Sequence, residues 1–313
     1  MSEGPPPLPP DVHPARPPVP VVVLGEFGRD AALRFCRVLS FRERERIQAA
    51  LPAGEPFLDE YRRATLTLVG DLPYVKEAQL DRYRREQRIL DDQVLVGFPG
   101  GPQPGDVAPR LGVLLLEALA GPAARGATRA VVALPCNTLA PVSWALDCAF
   151  VDAPSVRRLL VDAGAAGRTD LDRAVAAVSA MDLRFPSVPT AVLTEVGKDT
   201  SAMALPLGTL DIVEIYGQAR RRRASAPEVV APDAAGQRAV LTAIQACLAG
   251  DDGERARATD ALRGAVARAE TGVGGRVVPI EACTDLRLGL GIDSTATYAD
   301  AVLAAVYDEP LES

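Results

Sequence analysis

The sequence predicts an α/β protein with mainly parallel sheets, folded as two pseudo-symmetric Rossmann-like lobes with a cleft between them. Three observations carry that prediction. Short Val-rich apolar runs alternate with longer stretches of helical periodicity from residue 21 onward, the pattern of strands joined by crossover helices. At 313 residues the chain is long enough for two cores of ordinary size. Two of the apolar runs, 129–135 and 276–282, each end in a cysteine followed by small polar residues, Cys136-Asn137-Thr138 and Cys283-Thr284-Asp285. Each run is too short for a helix and reads as a buried parallel strand that delivers a thiol to its carboxyl end. That is where open α/β sheets keep their ligands.

The elements follow in order. Residues 1–20 form a Pro-rich leader, expected to be a flexible or polyproline-like arm. Val21-Val-Val-Leu24 reads as the first strand, Gly25-Glu26-Phe27-Gly28 as a turn and about 30–40 as a helix. Such a strand, turn and helix offers free N–H groups to an anion. The turn lacks the third glycine of a dinucleotide fingerprint, and a plain βα turn accounts for it. A second strand is expected at 64–69. The stretch 76–90, with Arg82, Arg84, Arg85 and Arg88, reads as a solvated helix. Residues 110–121 have helical spacing and feed the first cysteine strand.

Helices are expected at 156–163 and 171–181, then a strand at 190–194. Pro206-Leu-Gly208-Thr209 opens a helix running to about 223. A short strand at 229–230 and helices at 234–249 and 253–271 precede the second cysteine strand. Asp293-Ser294-Thr295 is an N-cap cluster for a terminal helix through 307. This divides the chain into a first lobe, 21–140 plus 292–313, and a second, 141–291, which includes a long interval at about 142–186.

Composition narrows the function. The formal net charge is −7, which disfavours nucleic acid and anionic membranes as partners. No apolar run is expected to span a membrane, and the N-terminus lacks a signal-peptide layout, so the expected home is the cytoplasm. Five cysteines without a close CxxC pair point to neither a zinc knuckle nor a disulfide scaffold. The single histidine, His13, lies in the leader, leaving none in the folded part for a catalytic triad or a His-based metal site. The only lysines are Lys76 and Lys198, so Schiff-base chemistry has few candidates. Any catalysis falls to cysteines, carboxylates, tyrosines or backbone dipoles.

On these residues the chain resembles the aspartate/glutamate racemase superfamily, from about residue 21 to the end. Pro135-Cys-Asn-Thr138 is similar to that family's first cysteine motif. Ala282-Cys-Thr-Asp285 is similar to the second, where the aspartate branch usually has Glu after Cys-Thr and the glutamate branch His. Gly25-Glu-Phe-Gly28 resembles the glycine turn after the first strand, and Gly208-Thr209 followed by Tyr216 resembles the segment opening a helix of the second lobe. Pro232-Asp233 and Ile292-Asp293-Ser-Thr295 fall where the aspartate branch has similar runs. The chain departs from the pattern at Ala140, where that branch commonly has His, at Asp285, and in the longer interval after Cys136, which is expected to line or cover the cleft.

The resemblance implies a cofactor-independent racemase or epimerase of aspartate-like or related amino acids, with Cys136 and Cys283 as the acid/base pair. Gly25, Glu26, Gly28, Asn137, Thr138, Thr209, Thr284 and Asp285 would surround a small amino-acid or carboxylic-acid substrate. No cofactor and no metal are implied, and a homodimer follows by analogy alone. Inversion at an α-carbon needs a base on one face and an acid on the other, and a thiol with a reference pKa of about 8.5 serves as either. Cys36, Cys148 and Cys247 read as packing residues. Other reactions of the superfamily (isomerase, hydantoin racemase, decarboxylase) and a non-catalytic binding protein of the same fold remain as alternatives.

Overall fold

The computed structural model describes residues 18–25, 29–69, 104–283 and 286–307. The leader up to residue 17, Glu26, Gly28, the 76–90 stretch, Thr284 and Asp285 lie outside them. Two parallel sheets organise the chain. The first has the order β2-β1-β3-β4, from β1 (Val19–Leu24), β2 (Ala64–Val69), β3 (Arg129–Ala133) and β4 (Asp182–Arg184). The second has the order β5-β6-β7, from β5 (Met203–Leu207), β6 (Val277–Glu281) and β7 (Ile292–Asp293). All described pairings are parallel. The α/β class and the two-lobed arrangement are as the sequence predicts.

Strand periodicity assigns each face of the first sheet to a different core. Val22, Leu24, Ala130, Val132 and Leu134 point into one apolar cluster. It is completed by α2 (Pro104–Ala124), α3 (Ala140–Ala149), α4 (Ala153–Asp162) and α5 (Thr169–Ser179). Val19, Val21, Val23, Val131 and Ala133 point the other way, into a larger cluster that also holds Leu205, Leu207 and Ile280 of the second sheet. Into this second cluster pack α1 (Arg29–Ala50), α6 (Val188–Val196), α7 (Leu210–Arg221), α8 (Ala234–Ala249), α9 (Asp252–Val273) and α10 (Ser294–Tyr307). One continuous core therefore runs through both lobes.

Several boundaries differ from the sequence reading. The strand begins at Val19, so Val19 and Pro20 belong to β1 and not to the arm. Pro20 is tolerated because the β3 ladder starts only at Val21. Residues 190–194 lie in helix α6, where Pro189 sits in the first turn and Val188, Val192, Leu193 and Val196 form one buried stripe. Their helical spacing outweighs the β-branched composition that favours a strand. At 229–230 there is a single parallel bridge, Val229 to Ala204.

The interval after Cys136 belongs to the first lobe, not the second. Residues 140–179 fold as α3, α4 and α5 against α2, and β4 then adds an edge to the first sheet beside β3. The segment is thus mainly a helical layer behind that sheet rather than a cover over a cleft. Trp144 reaches the other lobe, with the Arg222 guanidinium 4.5 Å from its ring centroid. Contrary to expectation, one apolar run does reach membrane-spanning length: Val107–Ala124 of α2. Leu111, Leu115, Leu116 and Leu119 of that helix are fully buried in the first-lobe core, which accounts for their apolarity.

The link between β6 and β7 dictates one glycine. A Cβ on Gly291 would lie 2.0 Å from the Pro279 carbonyl oxygen. Gly291→Ala is expected to destabilise the fold by about 1–3 kcal/mol, read as a lower denaturation midpoint in urea; an unchanged midpoint would refute this close approach.

Candidate active site

Each cysteine lies two or three residues past the carboxyl end of a buried strand. After β3 the chain turns at Leu134-Pro135, with the Cys136 amide donating to the Leu134 carbonyl at 2.8 Å. A 3-10 turn, Asn137–Leu139, then leads into α3, capped by the Leu139 amide on the Cys136 carbonyl. Cys136 is half-buried beside the end of β1: Leu24, Gly25, Ala31, Ala32, Pro135, Cys136 and Leu139 line a small open pocket of about 10 Å³. Gly25 fits there because a Cβ would lie 2.8 Å from the Ala32 Cβ. After β6, Cys283 is 5% exposed and its carbonyl accepts from the Leu286 amide at 2.9 Å.

A hydrogen-bonded chain joins these two strand ends. Asn137, 2% exposed, donates from Nδ2 to Ser294 Oγ at 3.5 Å. Ser294 Oγ donates to the Glu281 carbonyl at 2.7 Å. From α7, the Tyr216 hydroxyl donates to Asn137 Oδ1 at 3.0 Å. Burial pushes the Tyr216 phenol far above its ordinary pKa, so it stays protonated and remains a donor. Tyr298 of α10 does similar service one step upstream: it accepts from the Leu134 amide at 3.0 Å and donates to the Pro186 carbonyl at 2.9 Å. Desolvation likewise raises its pKa.

The expected site residues fare differently. Gly25 and Cys136 share one cavity. Asn137 is tied to Ser294, and through it to the segment bearing Cys283. Both ends of its amide are engaged, so the side chain binds the lobes together rather than standing open to a ligand. The backbone amides of Asn137 and Thr138 open a helical turn, where the first N–H groups lack intrahelical acceptors. Thr209 is 2% exposed and occupies the N-cap position of α7 without a side-chain capping bond, its hydroxyl donating to the Asp211 carboxylate. The preceding carbonyl of Gly208 accepts from Gln237 Nε2 at 2.7 Å. The Thr209 hydroxyl is thus engaged by Asp211.

Ser294, Tyr298 and Glu281 were not assigned to the site from sequence. In sequence, Ser294 stands out as part of a cap and of a run similar to the aspartate branch, not as a site residue. Glu281 carried a signal, being the single ionisable residue inside an apolar cysteine strand. Among the described residues no three His, Cys, Asp or Glu side chains gather in metal-binding range. A larger cavity, about 720 Å³, lies between α6 and α10 and is lined partly by Lys198, Glu195 and Asp300. It holds no cysteine, and Lys198 pairs with Glu195 at 3.0 Å. Size alone does not outweigh the thiols as a place for chemistry.

No protein-family model and no curated protein matches the sequence. Among solved structures, the chain is similar to a candidate Asp/Glu racemase from Yersinia pestis, at 16% identity and a TM-score of 0.52, covering 92% of this chain and 99% of that one. It also aligns with the aspartate racemase of Picrophilus torridus at 14% identity and a TM-score of 0.48, over 92% and 94% of the two chains. At this identity the Yersinia likeness establishes the fold: two α/β lobes spanning nearly the full length of both proteins.

The tie between strand ends makes a stability prediction. Tyr216→Phe leaves Asn137 Oδ1 buried without its donor and is expected to cost about 1–3 kcal/mol. Urea unfolding measures it, and a loss near zero would show that the bond carries no weight.

Proposed function

We propose that this chain is a cofactor-independent racemase or epimerase that inverts the α-carbon of a small amino acid, aspartate-like or a related acidic one. Cys136 and Cys283 are its acid/base pair. One observation carries the reading: the segments that bear Cys136 and Cys283, at the carboxyl ends of strands in different lobes, are linked through Asn137, Ser294 and the Glu281 carbonyl. The fold shared with the Yersinia protein supports it.

In the proposed cycle one cysteine, as thiolate, takes the α-proton, and the electron pair left on carbon delocalises into the substrate carboxylate. The other cysteine, as thiol, returns a proton to the opposite face. The two sulfurs end with their protonation exchanged, and solvent exchange resets them. Thiols suit this because their reference pKa of about 8.5 lets both forms exist near neutral pH. The developing negative charge would be met by the amides of Asn137 and Thr138, by Thr284 and by the backbone near Gly25. Asp285 would receive the substrate amine.

The test is α-proton exchange in D₂O, followed by NMR over a panel of L- and D-amino acids without pyridoxal phosphate. Wild type is expected to exchange and invert its substrate. Cys136→Ala and Cys283→Ala are each expected to lose at least about 100-fold in rate while keeping the wild-type circular dichroism. Full activity in either variant would refute the two-thiol mechanism. Loss of CO₂ in place of inversion would redirect the assignment to a decarboxylase, and no turnover on any substrate would leave a binding protein.

A further inference from the structure

The chain between β6 and β7 is unusual in its economy. These strands run parallel, with Ile280 opposite Ile292 and Glu281 opposite Asp293, yet only residues 282–291 join them. Parallel neighbours ordinarily need a longer crossover, most often through a helix. Residues 286–291 are not helical, so their backbone groups must find other partners. Leu286 is 1% exposed, and Leu288 and Leu290 pack against the same core. Gly291 presses against the Pro279 carbonyl.

The partner is Glu281, the last residue of β6. Its side chain is turned inward, the residue being 6% exposed. Oε1 accepts from the Leu288 amide at 3.1 Å and from the Leu290 amide at 2.9 Å. Its carbonyl accepts from Ser294. Burial pushes the carboxyl above the ordinary range, the Leu290 and Leu288 amides draw it back, and nearby Asp293 raises it further. A buried carboxylate is costly in an apolar strand, and β6 itself has no use for it. The groups it serves are those of the loop that starts at Cys283.

We infer that Glu281 is the positioning residue for Cys283, its carboxylate clamping the returning loop so that the thiol is held in place at the strand end. It acts through the loop, by way of the Leu288 and Leu290 amides. Its kinetic consequence rests on the racemase reading above; its effect on the Cys283 thiol does not. If Glu281 were only filler, leucine, of similar size, would serve equally well.

The experiment compares wild type, Glu281→Leu and Glu281→Gln as full-length chains. Iodoacetamide labelling of Cys283 and Cys136 is followed by peptide mass spectrometry, and α-proton exchange is measured alongside. Leucine removes both loop bonds, so Cys283 labelling is expected to quicken at least about 10-fold while Cys136 labelling holds. In the same variant kcat should fall about 10–100-fold with little change in KM, as misplacement of a catalytic group does. Glutamine keeps the Oε1 acceptor and should restore both readouts to within about 5-fold of wild type. Cys283 labelling in folded Glu281→Leu equal to wild type would overturn the inference.

Should Glu281→Leu fail to fold, amide hydrogen exchange of wild type and Glu281→Gln decides. Slow exchange at Leu288 and Leu290 relative to Arg287 supports the clamp, and equal exchange overturns it. A labelling contrast without α-proton exchange in any variant would support the clamp and sink the racemase reading, so the two failures are separable.

Discussion

The bonds from Asn137 to Ser294, and from Ser294 to the Glu281 carbonyl, are what the rest of the site depends on. Asn137 follows the first cysteine, and Glu281 stands two residues before the second. Ser294 begins the terminal helix. A single hydroxyl thus joins the carboxyl ends of two strands from two sheets. Tyr216 fixes the far end of the Asn137 amide, so the polar link lies inside a core in which unmade bonds are expensive. Buried polar networks of this kind specify one arrangement of their elements, and here the elements specified are the two that carry thiols.

The surrounding packing makes that link rigid. The first sheet is covered on one face by α2 to α5, and its other face shares a core with the second sheet. The helix α10 belongs to this shared core, and two of its side chains, Ser294 and Tyr298, hold opposite ends of the site. The long interval after Cys136 strengthens the first lobe from behind and lengthens its sheet by one edge strand.

Much of this was legible in the sequence. The α/β class, the two cysteine strands, the cap at Asp293 and most helices follow from periodicity and capping chemistry. What escaped has physical reasons. Residues 190–194 carry strand-forming types on a helical stripe, and only the stripe's burial decides between them. β4 and β7 have three and two residues and gain their identity from neighbours rather than from their own pattern. The lobe boundary was misplaced because which sheet face α3 to α5 cover is decided by their packing against α2 and β3, not by any pattern within the helices themselves. Asn137 was expected to reach a ligand, since a polar residue beside a thiol looks like a binding group. Its partners, Tyr216 and Ser294, are separated from it by 79 and 157 positions, so no local pattern could reveal them. Glu281 was visible as an ionisable residue in an apolar run, but its purpose appears only when the loop folds back.

The central claim is that both thiols face one ligand. A crystal structure with a bound dicarboxylate, such as malate, tests it most directly. The account predicts the dicarboxylate between the lobes, with the Sγ atoms of Cys136 and Cys283 in contact with opposite faces of the same carbon. A ligand touching only one of the two sulfurs, or none, would contradict it.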